Sequence, residues 1–141
     1  MFNQPFEKRL VLWREFRSSL EESENPIQDT IDFWNSAPLV TIQADPYDPK
    51  TWPEPWEIIH ENIFCPFVKI LAICYTLQLT ECLSHCSFEI HITQDKEKSQ
   101  TNYLLYVDDW VIGYNMNNAV LKSNLPDSIE ATFYKKMPSL L

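Results

Sequence analysis

Phe6, Leu10, Trp13, Phe16 and Leu20 recur at helical spacing between Pro5 and the cluster Glu21-Glu22-Ser23-Glu24. The chain is therefore expected to open with an amphipathic helix whose interleaved charges face water. Asn25-Pro26 suits an N-cap and a first helical residue, and Ile27, Thr30, Ile31, Phe33 and Trp34 extend a second helix that stops before Pro38. Leu39 to Gln43 is short and β-branched, hence extended. The segment Asp45 to Pro55 holds four prolines with Tyr47 and Trp52, and Trp56 follows. Proline restricts the backbone and aromatic rings can pack it down, so this reads as an ordered loop. From Trp52 to Leu79 the pattern predicts a short helix, a tight break, and a mostly apolar buried helix that begins at Cys65.

After Leu79 the period changes from helix to strand. Phe88, Ile90 and Ile92 alternate with Glu89 and His91, Asn102 to Val107 is almost wholly apolar, and Trp110 to Tyr114 follows the two-residue connection Asp108-Asp109. These segments read as a β-meander, with Asp95 to Gln100 as a polar hairpin loop and Ile129 to Tyr134 as a last strand before a loose tail. The expected fold is α+β: N-terminal helices and a central buried helix packed on a small antiparallel meander. A single domain over 1–141 accommodates it, with an amphipathic helix at 1–24, a core at 25–115 and a C-terminal extension at 116–141.

Composition narrows the function classes. Twenty acidic residues against eleven basic give a net charge of -9, which opposes attraction to phosphate backbones, so no nucleic-acid partner is expected. The N-terminus lacks the apolar core of a secretory signal, and Lys69 and Gln78 interrupt the longest apolar run. The expectation is a soluble protein that is neither secreted nor membrane-bound, with its four cysteines reduced. Gly113 is the one glycine, where ordinary usage would give about ten. Phosphate-cradling and dinucleotide-binding loops need several, so those readings fail, and no cofactor is expected.

The order of the pieces resembles the bacterial transglutaminase-like cysteine peptidases, relatives of the papain-like and transglutaminase fold. In that family a Trp-x-x-Pro-type segment precedes a Gly-Asp-Cys-Glu-Asp motif that opens a helix. A His begins a following strand and an Asp ends the next. Trp52-Pro53-Glu54-Pro55-Trp56 matches the first segment, and Cys65 stands where the nucleophile would be. The resemblance then puts Asn102, or Thr101 after a slip of one, at the histidine position and Gly113 at the aspartate position, while Ile63-Phe64 and Pro66-Phe67 replace the acidic flanks. Cysteine catalysis needs a base within hydrogen-bond reach and a group that orients it. Asn102 cannot shuttle a proton, so the resemblance implies a noncatalytic descendant with vestigial Cys65, Asn102 and Gly113.

A rescue is conceivable. Pairing Phe88 with Leu105 and Ile90 with Tyr103 sets His91 opposite Asn102, where a base that moved across the ladder would sit. An active hydrolase or amide transferase using Cys65 and His91 is the alternative function. Cys82-x-x-His85-Cys86 has ligand types at short spacing but lacks a defined fourth ligand, so no metal site is expected. Glu54, Glu57 and Glu61 read as a solvated helix face, and Asp108 and Asp109 as a turn.

Five tryptophans, eight phenylalanines and six tyrosines exceed the evident needs of one small core and favour a protein interface. Phe6, Trp13, Tyr47, Trp52 and Trp56 are the candidates, with core packing as the competing role for Trp13 and Trp34. The ending Phe133-Tyr134-Lys135-Lys136-Met137-Pro138-Ser139-Leu140 and the general character of the chain resemble small proteins of T4-like tailed phages. That resemblance implies a structural protein of the tail, neck or baseplate, placed in the host cytoplasm and the virion and partnered by virion or assembly proteins. A host-binding effector is the further alternative.

Overall fold

The computed structural model describes residues 1–40 and 45–140. Four helices, α1 (Phe6–Leu20), α2 (Pro26–Asn35), α3 (Pro55–Glu61) and α4 (Pro66–Gln78), precede five strands. The strands are β1 (Phe88–Asp95), β2 (Gln100–Val107), β3 (Trp110–Ile112), β4 (Val120–Leu121) and β5 (Ile129–Lys136). They form one antiparallel sheet in the order β4-β3-β2-β1-β5. The α+β class expected from the change of period is therefore what the chain adopts.

α1 and α2 run where the apolar spacing places them. The Asn25 side chain accepts from the Gln28 amide at 3.2 Å, and Pro26 takes the first helical position, where its missing N-H costs nothing. α4 is buried along nearly its whole length and lies between the other helices and the sheet. Trp13 from α1 and Trp34 from α2 each donate an indole N-H at 3.0 Å to the Thr76 hydroxyl of α4. That hydroxyl donates in turn to the Ala72 carbonyl at 2.7 Å. One buried threonine thus satisfies both indoles and binds three helices at a point. Trp13 is accordingly a core residue, correcting its expected interface role.

Arg9 of α1 is buried as well. Its guanidinium donates to the Ile59 carbonyl at 3.1 and 3.0 Å and to that of His60 at 3.1 Å. These are carbonyls of the last turn of α3, so the negative end of that helix dipole balances the charge and pins α3 to α1.

The proline-rich loop is ordered where it is described. Asp48 caps a 3-10 turn at Pro49–Thr51, the Trp52 indole donates to the Pro46 carbonyl at 3.1 Å, and the Tyr75 hydroxyl donates to that of Pro53 at 2.9 Å. Trp52 is buried against Phe67, 5.1 Å between ring centres, so it too is core and not interface. Of the expected extended segment, Leu39 bridges Phe64, and residues 41–43 lie outside the described residues.

Further expectations are corrected. Cys65 is the N-cap of α4 and Pro66 its first residue. β1 and β2 pair Phe88 with Val107, Ile90 with Leu105 and His91 with Leu104, two residues from the expected register, leaving Asn102 opposite Thr93. The ladder runs on to Asp95 and Gln100, so the hairpin loop shrinks to residues 96–99, with Asp95 Oδ1 accepting from the amides of Glu97 and Lys98 and Ser99 at φ 49°. The segment 116–140, which includes the expected last strand, supplies β4 and β5, and β5 covers the far edge of β1. The tail is tied as well, through Met137 N to the Phe88 carbonyl at 2.8 Å and Gln78 to that of Pro138 at 2.9 Å.

Candidate functional site

Cys65 has no exposed surface. Its backbone is extended, its carbonyl accepts the first helical bond from Lys69 N at 3.0 Å, and its side chain makes no capping hydrogen bond. Phe64 and Phe67 beside it are equally buried. Tyr103 of β2 is the nearby polar group; its ring meets Phe67 at 5.3 Å, and its hydroxyl is pushed above the ordinary value by burial first and by Cys65 and Tyr47 after it. A phenol held neutral in this way is no base for a thiol at neutral pH.

His91 belongs to the other face of the sheet. Alternation along the β1–β2 ladder puts Ile90, Ile92, Tyr103 and Leu105 on the helix side and His91, Leu104 and Tyr106 on the opposite side. There His91 is stacked between Tyr106, at 4.1 Å, and Tyr134 of β5, at 5.4 Å, and Nε2 lies 3.2 Å from Glu89 Oε1. Burial pulls its pKa below the ordinary value, the Glu89 carboxylate opposes that shift, and Lys122 reinforces it. A sheet stands between the expected base and the expected nucleophile.

Two of the positions aligned by sequence, Asn102 and Gly113, nevertheless meet. Pro66, Thr101, Asn102 and Gly113 line one cavity of about 290 Å3, set where β3 ends and leaves β2 uncovered beside the first half of α4. Cys65, next to Pro66 in the chain, is not part of the lining. Gly113 is required at this wall: its φ is 107°, and a Cβ would stand 2.4 Å from the Tyr103 carbonyl oxygen and 3.0 Å from Ile70. The single glycine of the chain thus serves close backbone approach at the cavity.

Lys69 supplies the charge there. Its Nζ donates to Asn35 Oδ1 at 2.9 Å, and the Asn35 amide donates to the Met116 carbonyl at 2.9 Å. Among the described residues no carboxylate lies within salt-bridge distance of Lys69, and burial pulls its pKa below the ordinary value. An ammonium has three donors, and one is spent on Asn35. Ile31, Ile70, Ile73 and Ile112 supply an apolar wall, with Tyr103 and Asn115 adding polar groups to the lining.

The other sequence candidates separate. Tyr47 and Trp56 are 51% and 56% exposed; the Trp56 indole donates to Glu54 Oε2 at 2.9 Å, and the Tyr47 hydroxyl shares a hydrogen bond with Thr132 at 3.1 Å. Phe6 is half-buried, edge-on to His60 at 4.9 Å. Glu57 accepts from the Glu54 amide at 3.2 Å, which makes these glutamates caps of α3. Cys82 and His85 are exposed, burial and Asp108 push the Cys86 thiol up to about 11, and among the described residues no group of three or more His, Cys, Asp or Glu is placed to hold a metal ion. Among them, too, no helix is long and apolar enough to cross a membrane.

Sequence reasoning missed Lys69 and Asn35. The available signal was a lone cation within an otherwise apolar helix, which served only to argue against a membrane span. No protein-family model matches the chain, and no curated protein matches it.

Proposed function

We propose that this protein is a noncatalytic protein-interaction component, with a virion or assembly protein of a tailed phage as its partner. The observation that supports the noncatalytic half is the sealing of Cys65: a thiol without exposed surface, flanked by Phe64, Pro66 and Phe67, has no substrate access, and the candidate base His91 lies on the opposite face of the sheet. The transglutaminase-like descent inferred from the order of segments fits a scaffold kept after its chemistry was lost.

The interaction half rests on Tyr47 and Trp56. Large aromatics held by hydrogen bonds on a proline-stiffened segment lose little entropy on docking, the quality that marks interface anchors. The test is quantitative mass spectrometry of purified particles, paired with cross-linking of the tagged chain in infected cells. The expected result is the protein in stoichiometric amount, cross-linked to particle proteins and released by Trp56→Ala and Tyr47→Ala together. Absence from particles, with cross-links to host proteins instead, transfers the reading to a host-binding effector.

A further inference from the structure

We propose that the cavity beside α4 is a binding site for a small amphipathic monocarboxylate, its carboxylate on Lys69 and its apolar body along Ile70, Ile73 and Ile112. Three observations converge on this chemistry. First, Lys69 is a partly buried cation whose partner is a neutral amide, in a chain with twenty acidic residues against eleven basic ones. Internal charge pairing was abundantly available, and among the described residues this lysine lacks it. A half-desolvated ammonium with two unspent donors gains most from an anion brought by a ligand.

Second, the net charge of -9 creates a field that repels multiply charged ligands more strongly than singly charged ones, favouring a monoanion over a phosphate ester. Pro66 opens α4 on the same wall, so the positive end of a 13-residue helix adds to the attraction for one negative charge. Third, a cavity of about 290 Å3 is roughly twice the volume that holds benzene. It accepts a ligand of about ten heavy atoms, and its isoleucine walls suit an aliphatic or aromatic tail. Asn35, clamped to the Met116 carbonyl, holds the ammonium in place and so acts as the positioning residue.

Octanoate is the probe, with 1-octanol as its uncharged counterpart, titrated into the full-length protein by calorimetry and followed by 1H–15N correlation spectra. With one glycine in the chain, the Gly113 amide gives a unique reporter peak on the cavity wall. Octanoate is expected to bind and to move that peak; Lys69→Met is expected to weaken octanoate about tenfold or more while Lys69→Arg retains most of the affinity. Octanol binding should be the same in wild type and Lys69→Met, which separates loss of charge from loss of fold. A Gly113 peak that octanoate leaves in place, or equal octanoate affinity in wild type and Lys69→Met, overturns the proposal. Either failure leaves the noncatalytic reading standing, because that reading depends on Cys65 and not on Lys69.

Discussion

Cys65 and Lys69 stand one turn apart at the start of α4, joined by a backbone hydrogen bond of 3.0 Å, and they meet opposite surroundings. The thiol points into a sealed wall of aromatic and aliphatic side chains; the ammonium lines an open cavity. Both share the same helix dipole, so the dipole cannot by itself make a functional group. Access and solvation decide, and here they favour the lysine. The start of α4, where a nucleophile was expected, is closed, and a charged cavity lies one turn further along.

The contrast predicts which side of α4 the fold depends on. Thr76→Val should be the most damaging change, because it strands the indole N-H groups of Trp13 and Trp34 in a dry core. An orphaned buried donor costs about 1–3 kcal/mol, so the pair should cost about 4 kcal/mol in urea unfolding. Lys69→Met on the cavity side should change stability by no more than about 1 kcal/mol, since a partly desolvated charge and a single hydrogen bond to an amide are lost together. Equal losses from the two substitutions would erase the distinction between a sealed and an open side.

Gly113→Ala comes next, at about 3 kcal/mol, through overpacking and a left-handed backbone that alanine resists. Its effect should be local to the cavity wall, read as lost amide protection in β3 while the α4 amides stay protected.

The smallest effect concerns the far face. Burial holds the His91 pKa below its ordinary value of 6.5, so the unfolded chain takes up the proton first. Stability is therefore highest above that value and falls as pH drops through it toward the folded pKa. His91→Gln should flatten that slope below about pH 6.5 in urea midpoints. A slope that persists in the variant would assign the effect to another group.

The parts of this architecture that sequence made legible are those specified by local chemistry. The Asn25-Pro26 cap, the spacing of Phe6, Leu10 and Trp13, and the tight turn at Asp108, whose φ of 50° suits a short hairpin connection, follow from residues near one another in the chain. The β1–β2 register was not legible for a definite reason. A slip of two residues preserves which side each residue faces, so Phe88 and Ile90 remain opposite apolar partners in either pairing. The choice falls to the hairpin, where Asp95 holds the amides of Glu97 and Lys98 within the loop 96–99 and closes the ladder at Asp95–Gln100.

The site was half legible. Two of the positions singled out from the order of segments, Asn102 and Gly113, do line the cavity, while Cys65 does not. Its chemistry was not legible, because the Lys69–Asn35 bond joins residues 34 apart and no local pattern announces it. Trp13 and Trp52 misled for a related reason: their polar atoms find partners inside the fold, Thr76 for one and the Pro46 carbonyl for the other. A tryptophan so satisfied is core, however strongly composition suggests an interface.

Native-state thiol labelling tests the central claim most directly. With iodoacetamide and site-resolved mass spectrometry, exposed Cys82 should be alkylated first in the folded protein. Cys65 and Cys74, both buried, should stay unmodified until the chain unfolds, at a rate unchanged by His91→Ala. Rapid labelling of Cys65 in the native state, slowed by His91→Ala, would contradict the account and restore an active cysteine to this fold.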